Sequence, residues 1–520
     1  MNNTDLNNKS IYGFRSLKPK LISNITLLNK RKIIEENMTI DQTDNKSNDN
    51  KEKEEENTDQ CENKPSFWIE GYGCSSSIAD MEMIAGQLKN NGFTISNSPS
   101  KANVNLIVTC SVKDVTEHKM AYRIKSLSKY DTPLVIAGCL PAADIKLVEK
   151  LNPSASIMGP HSIDKTIEIV NTALNGQRSV FLNNSNLEKV SFPRVRINPI
   201  VSIIEIASGC LSECSFCQTK LAKGDLQSYR IGQITNQIRK DIKTGIAEIW
   251  LTSTDNGCYG RDIGTNLTEL LSRCDKVEGE FKIRVGMMNP MYLKGLLTDL
   301  IDIFFYSNKI YKFIHIPVQS GSENVLRKMK RGHTVNTFEE LVKQFRKKIP
   351  NMTIATDIIT GFPGETENDF ESTLKMIQDL EIDVVNSSKF SPRPGTKAVE
   401  FKRIDQDIIL KRSEKLHRLV KQIAKKRNSM WLNWEGDILI NEIDDNGIKG
   451  RNQYYKSILI KEFMNDDLAA IKNKMIKDLN KVGEGMLVTS NSNGRQLLGK
   501  TIKVKITDYS NHTLEGIQIQ

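Results

Sequence analysis

Cys210-Leu-Ser-Glu-Cys214-Ser-Phe-Cys217 places three thiols in the spacing C-x3-C-x2-C. Three thiolates on one short loop can bind three irons of a [4Fe–4S] cube and leave the fourth iron without a protein ligand. An open coordination position is what a catalytic metal needs, as in a catalytic zinc site. The competing reading is a structural zinc loop, or cysteines that are neighbours by chance. Zinc prefers four ligands built from C-x2-C pairs, and this loop offers three in another spacing.

Three further cysteines share a setting rather than a motif. Cys74, Cys110 and Cys139 each lie at or just beyond a predicted strand, in Ile69-Glu-Gly-Tyr-Gly-Cys74, Leu106-Ile-Val-Thr-Cys110 and Val135-Ile-Ala-Gly-Cys139. In a parallel sheet the carboxyl ends of neighbouring strands gather on one edge, so three distant thiolates could meet there. The two Gly-Cys steps would let backbone approach a bulky cluster closely. By pattern alone, three buried core cysteines fit as well. Cys61, Cys258 and Cys274 belong to neither trio: Cys61, in the polar tail, should be exposed, and Cys258 and Cys274 read as ordinary small residues.

The elements that must position these cysteines alternate strand and helix, the pattern of a parallel α/β fold. Phe67–Glu70, Leu106–Val108 and Leu134–Ile136 read as strands, and Ala79–Lys89 as an amphipathic helix. A connector rich in Asn and Ser spans about 175–198. The alternation resumes with strands at Val201–Ile206, Glu248–Leu251, Lys282–Val285, Lys312–His315, Thr353–Ile359 and Val384–Phe390, and helices such as Ile231–Lys243 and Asn324–Lys330. Such repeats suit a full or partial (β/α) barrel with chemistry at the carboxyl ends of its strands. Lys411–Lys426 is a basic helical stretch. Beyond Trp431, short strands at Gly436–Ile443, Tyr455–Ile460, Met486–Ser490 and Thr501–Ile506 suggest a small β-barrel interrupted by a helical insertion at Asp466–Asn480.

The expected organisation is therefore a polar, disordered extension (1–66), an N-terminal α/β domain (67–175), a barrel core (200–428) and a C-terminal β-barrel (431–520). Asp41–Lys64 is almost wholly polar and cannot bury enough apolar surface to fold. The formal charge of +10 suits a polyanionic partner such as RNA without requiring one. The sequence has no long apolar run, so no membrane contact is expected. Nine cysteines in 520 residues are too sparse for a disulfide scaffold, and no secretory leader is evident, so a reducing cytoplasm is the expected compartment.

The Cys210 loop, entered from a strand through Ala207-Ser208-Gly209, is the arrangement of radical S-adenosylmethionine (SAM) enzymes, in which the open iron chelates SAM. The wider sequence resembles the methylthiotransferase family of these enzymes, in its archaeal and eukaryotic branch, from Phe67 onward. The resemblance rests on His315-Ile-Pro-Val-Gln-Ser-Gly321, Gly361-Phe-Pro-Gly-Glu-Thr366 and Ser391-Pro-Arg-Pro-Gly-Thr396, together with Tyr72-Gly-Cys-Ser75, Val112-Lys113 and Gly138-Cys-Leu-Pro141. It implies two [4Fe–4S] clusters, one on Cys74, Cys110 and Cys139 and one on Cys210, Cys214 and Cys217. It also places Ser253–Gly257 near SAM, with Phe216, Asp255, Asn256 and Gln319 as candidate contacts. Gly450–Lys456 and Leu498–Val504 resemble a TRAM module, which makes Arg451, Tyr454, Tyr455, Lys456, Lys500 and Lys503 candidate RNA contacts.

The activity implied is insertion of a methylthio group at C2 of a modified adenosine in tRNA. One SAM methylates a sulfur held at the N-terminal cluster, and a second yields the radical that removes the C2 hydrogen. That C–H bond is neither acidic nor electrophilic, so acid–base chemistry accomplishes little there. The expected substrate is N6-threonylcarbamoyladenosine beside the anticodon, whose carboxylate needs a partner if buried. Arg284, Arg393 and Lys389, at predicted strand ends, are the candidates, and Arg offers a bidentate fork that Lys lacks. Isopentenyl-adenosine tRNA, a ribosomal protein, or a non-catalytic iron–sulfur RNA-binding role are the rival readings. A monomer is expected, and the sequence does not identify the electron donor or the sulfur donor.

Overall fold

The computed structural model describes residues 64–111, 114–182, 188–444, 447–463 and 496–520, with the two-residue strand Lys20–Leu21. The expected insertion at 466–480, the strand at 486–490, Cys61 and nearly all of the N-terminal extension lie outside the described residues. No described helix is long and apolar enough to cross a membrane.

The N-terminal unit is a parallel sheet of β1 (Ser66–Gly71), β2 (Val104–Thr109), β3 (Leu134–Gly138) and β4 (Ser156–Met158), in that spatial order. Its edges are completed by Thr94–Ile95 and Lys20–Leu21 on β1 and by Val180–Phe181 on β4. β2 and β3 are buried at every position, because helices cover both faces of such a sheet. Their sequences are accordingly mostly apolar, with Asn105 and Thr109 of β2 as buried polar exceptions. Helix α1 (Ser75–Asn90) starts directly after Cys74, and the five-residue α2 (Cys139–Ala143) begins at Cys139. The connector then runs along α1: Ile197 N donates to Glu82 Oε1 at 2.9 Å. A Cβ on Gly86 would lie 2.2 Å from the carbonyl oxygen of Pro193, so only glycine permits this approach.

The core contains six parallel strands in two three-stranded sheets. One is β5 (Val201–Glu205), β6 (Glu248–Thr252) and β7 (Lys282–Val285); the other is β8 (Phe313–His315), β9 (Thr353–Thr360) and β10 (Val384–Lys389). A parallel bridge, Ile283↔Ile310, joins them into a partial barrel. Alternate residues divide the two faces. Ile249, Leu251, Ile283, Val285, Ile314 and Ile354 pack outward on helical residues such as Ile234, Ile238, Leu270 and Phe338. The positions between them, including Glu248, Trp250, Arg284, Phe313, His315 and Asp357, line the interior. Helix α3 (Gln218–Lys223) follows the Cys210 loop, and Ile231–Lys243 is helical as its 3.6-residue periodicity predicts. The basic stretch at 411–426 forms part of a 24-residue helix, Gln406–Ser429.

The C-terminal unit is a closed barrel of β11 (Glu435–Asp444), β12 (Gly447–Asn452), β13 (Ser457–Glu462), β14 (Thr501–Tyr509) and β15 (Leu514–Gln518). Ile438, Ile440, Ile448, Ile458, Val504 and Ile506 fill it. β12 and β15 are not expected from sequence, because their glycines and charges mask the alternation.

Candidate active site

Parallel pairing sets the carboxyl ends of β1, β2 and β3 side by side, and Cys74, Cys110 and Cys139 follow those ends. Two glycines make room for them. Gly73 has φ +110°, and a Cβ there would lie 2.2 Å from Cys110 Cβ and 2.7 Å from its Sγ. Gly138 has φ +99°, and its Cβ would lie 2.4 Å from the Thr109 carbonyl oxygen. Both are conformations and contacts that L side chains avoid. Cys74 is exposed and sits at the N-terminus of α1, where the helix dipole favours a thiolate. A hydrogen bond from Cys110 holds its thiol down to about 5, whereas burial pushes the Cys139 thiol up to about 12. The three cysteines thus share one sheet edge, where a side chain at 73 would occupy the space beside Cys110 and one at 138 would collide with the Thr109 backbone, and they fit a cluster with three protein ligands.

The second trio lies on the loop between β5 and α3. Gly209 (φ +69°) turns the chain into it, and a Cβ there would collide with the Asp225 carbonyl oxygen at 1.8 Å. The loop is provided with donors to sulfur. Ser212 N lies 3.3 Å from Cys210 Sγ, and Arg331 Nη1 lies 3.3 Å from Cys214 Sγ while its Nη2 donates to the Pro317 carbonyl at 2.6 Å. Donors aimed at sulfur are what thiolate ligands require. Phe216 packs edge-on to Phe362 of the Gly361–Thr366 turn, with ring centroids 6.4 Å apart. It wedges the loop against the barrel. Cys258, read as an ordinary residue, in fact touches this loop: Cys210, Asp255 and Cys258 place ligand atoms within 4.8 Å of one another.

The loop after β6 is built differently from the expectation. Asp255 Oδ1 accepts from Gly257 N (2.9 Å) and Asn289 N (3.0 Å), which spends that oxygen on backbone. Asn256 is fully buried and its Oδ1 accepts from Ser253 Oγ at 2.7 Å, while its Nδ2 has no hydrogen-bond partner among the described residues; a Cβ on Gly286 would lie 2.3 Å from that nitrogen, so only glycine leaves room for it. Ser212, inside the cysteine loop, meets Asn289 and Tyr292. Ser212 Oγ is 3.0 Å from Tyr292 OH and 3.2 Å from Asn289 Nδ2. Sequence reasoning misses this trio; Asn289-Pro290, a cap and N1 pair opening a short helix, is the available signal. Gln319 has φ +80° at the carboxyl edge of the barrel, a conformation that a non-glycine residue adopts at a cost. Beside it His315 Nε2 lies 3.0 Å from Asp357 Oδ1, which also accepts from Asn386 Nδ2 at 2.9 Å. The motif that contains His315 gives no sign of this dyad.

Residues 204–377 match the Radical SAM superfamily, and residues 66–159 match the Uncharacterized protein family UPF0004. The chain is 40% identical over 398 residues to the probable threonylcarbamoyladenosine tRNA methylthiotransferase of Pyrococcus abyssi, an alignment covering 76% of this chain and 93% of that protein. It is 35% identical over 403 residues to the Homo sapiens threonylcarbamoyladenosine tRNA methylthiotransferase, covering 76% of this chain and 69% of that one. The chain belongs to the threonylcarbamoyladenosine tRNA methylthiotransferase family. The same relationship extends to the probable enzyme of Methanocaldococcus jannaschii, 36% identical over 375 residues, covering 72% of this chain and 87% of that protein.

Within this member of the threonylcarbamoyladenosine tRNA methylthiotransferases, the three cations considered for a substrate carboxylate part company. Arg393 is buried and ion-paired to Glu117 of the N-terminal unit, so its charge is already spent on joining two domains. Lys389 is exposed at the end of β10. Arg284 points into the barrel, its guanidinium 5.2 Å from the Trp250 ring and 5.7 Å from that of Phe313, and it forms no ion pair among the described residues.

The candidate RNA contacts also divide. Arg451, Tyr455 and Lys456 are buried where the C-terminal barrel docks on the core, and this corrects their assignment as phosphate or base contacts. Tyr455 stacks on Tyr311 and Phe313, with centroids 4.8 and 4.9 Å apart, and closes the barrel at the amino ends of its strands. Arg451 lies over the Tyr455 ring at 4.6 Å. Lys456 Nζ pairs with Asp383 at 3.1 Å. Tyr454 is half-buried on Trp431, 5.1 Å between centroids. Lys500 and Lys503 are exposed and remain available to a polyanion.

Proposed function

We propose that this chain converts N6-threonylcarbamoyladenosine, next to the anticodon of a tRNA, to its 2-methylthio derivative, as a monomer in a reducing compartment. The observation that carries the reading is the direct packing of the two helices that adjoin the cysteine trios. Helix α2, which begins at Cys139, packs on α3, which follows Cys217. Cys210, Cys214 and Cys217 would hold one [4Fe–4S] cluster, and Cys74, Cys110 and Cys139 a second. When bound, these groups supply the electron for SAM cleavage and the site of the transferred sulfur.

The chain's own residues supply positioning. Ser212, Asn289 and Tyr292 hold the cysteine loop against the end of β7, and Gln319 and the His315–Asp357 pair border the space that a SAM molecule and an adenine must share. Arg284, set on aromatic rings inside a low-dielectric barrel, offers a two-toothed donor to the threonylcarbamoyl carboxylate, a strong pairing where water is excluded. Lys500 and Lys503 offer phosphate contacts.

The test is purified enzyme given two tRNAs, one threonylcarbamoylated and one isopentenylated, with nucleosides read by mass spectrometry. Thiolation of the first is expected. Preference for the second would overturn the substrate and leave the reaction class. Release of 5′-deoxyadenosine on addition of SAM and reductant separates an enzyme from a non-catalytic iron–sulfur RNA-binding protein.

A further inference from the structure

Four ionisable side chains meet in the wall between the N-terminal sheet and the core. Lys223 Nζ lies 2.6 Å from Glu205 Oε1, and Lys189 Nζ lies 2.9 Å from Asp80 Oδ1 and 3.3 Å from Glu205 Oε2. Each of the four side chains is at most 3% exposed. Their places in the chain are informative. Asp80 is in α1, which starts after Cys74. Glu205 ends β5, which leads to Cys210. Lys223 ends α3, which follows Cys217. Lys189 belongs to the connector.

Two cations and two anions balance, yet burying four charges is an expensive way to join domains, because desolvation offsets most of the attraction. The quartet also has a neighbour. Helix α3, which ends at Lys223, packs on α2, which begins at Cys139, and Asp80 lies less than two turns along α1 from Cys74. The backbone of Lys223 is fixed too: its carbonyl is 3.0 Å from His161 Nε2 of the N-terminal unit.

We propose that Lys223, carried on the core's cysteine-loop helix, is a positioning residue that serves as counter-ion to the N-terminal cluster, so that docking of the core sets that cluster's reduction potential. The inference rests on the reading of Cys74, Cys110 and Cys139 as cluster ligands. A cube on three thiolates is negatively charged and becomes more so on reduction, so a fixed cation in a dry site favours the reduced form. Glu205 holds Lys223 in place, and Lys189 neutralises what remains of the Glu205 and Asp80 charges.

The experiment uses the full chain with Cys210, Cys214 and Cys217 replaced by Ala, reconstituted anaerobically, so that one cluster is observed. Its midpoint is read by dithionite titration followed by electron paramagnetic resonance. Lys223→Met should move the midpoint to a more negative value, and Lys223→Arg should return it towards the parent. The charge-balanced double variant Lys223→Met/Glu205→Gln should shift less than Lys223→Met, and reads the effect alone if the single variant does not fold. A midpoint unmoved in both Met variants, with iron content retained, overturns the proposal. The underlying cluster assignment fails separately, if the parent with only Cys74, Cys110 and Cys139 intact binds no iron.

Discussion

Cys139 opens α2 and Cys217 immediately precedes α3, and these two helices pack on each other. The two trios are therefore held apart by a direct helix contact, not by the connector between the domains. A reaction that needs a radical from one site and sulfur from the other depends on that spacing.

Iron content tests the two sites separately. Reconstituted protein should hold about eight irons, by the four-iron cube for each trio. Replacing Cys74, Cys110 and Cys139 with Ala should halve this, preserve 5′-deoxyadenosine release and abolish thiolation. Full iron in that triple variant would show the N-terminal trio to be structural.

Arg284 should govern choice of substrate. Arg284→Met should remove the proposed charge-assisted bidentate pairing, worth about 1.5–3 kcal/mol, and so lower kcat/KM for threonylcarbamoylated tRNA by roughly 10- to 150-fold. SAM cleavage without RNA should be unchanged. Equal kcat/KM in parent and variant would remove Arg284 from substrate recognition.

Surface and buried lysines of the C-terminal barrel should behave in opposite ways. Lys500→Glu with Lys503→Glu should weaken tRNA binding and reduce the salt slope by roughly 0.7–0.9 for each phosphate that is no longer neutralised. Lys456→Met should leave that slope alone and lower the melting temperature, because it deprives buried Asp383 of a partner. Deleting the whole barrel is a poor test, since it strips Tyr455 from the core. A slope insensitive to Lys500 and Lys503 would exclude this face.

Asp383 gives a pH signature. Burial alone would raise its carboxyl, but it accepts from Lys456, Arg427, Arg346 and the Ile354 amide, and these cations hold it well below the usual range. A carboxyl depressed in the folded state contributes stability that is complete above its unfolded pKa and lost as pH falls towards the folded value. Asp383→Asn should cost about 3–5 kcal/mol at neutral pH. The gap should narrow only below about pH 4, where the unfolded carboxyl starts to protonate. Urea midpoints measured across pH 3–7 check this; a gap that closes already at pH 6 contradicts it.

What could be read from sequence was local. Six cysteines at strand ends or in a fixed spacing, and six core strands within a residue or two of their limits, follow from short-range pattern. What could not be read depends on which surfaces meet. Arg393 looks like a free cation at a strand end until Glu117, 276 residues earlier, is seen beside it. Arg451, Tyr455 and Lys456 have the composition of an RNA-facing loop and instead form a domain contact. Asp80, Lys189, Glu205 and Lys223 carry no motif, and only the fold brings them together. Asn256 is polar in a loop, which predicts exposure, yet it is fully buried.

Tyr455 comes from the C-terminal barrel but ends up inside the core, against Tyr311 and Phe313. The appendage is thus the stopper of the vessel in which the chemistry occurs. With that end shut, cosubstrate, nucleoside and spent products must all use the side at which the cysteine loop lies, or the gap between β5 and β10.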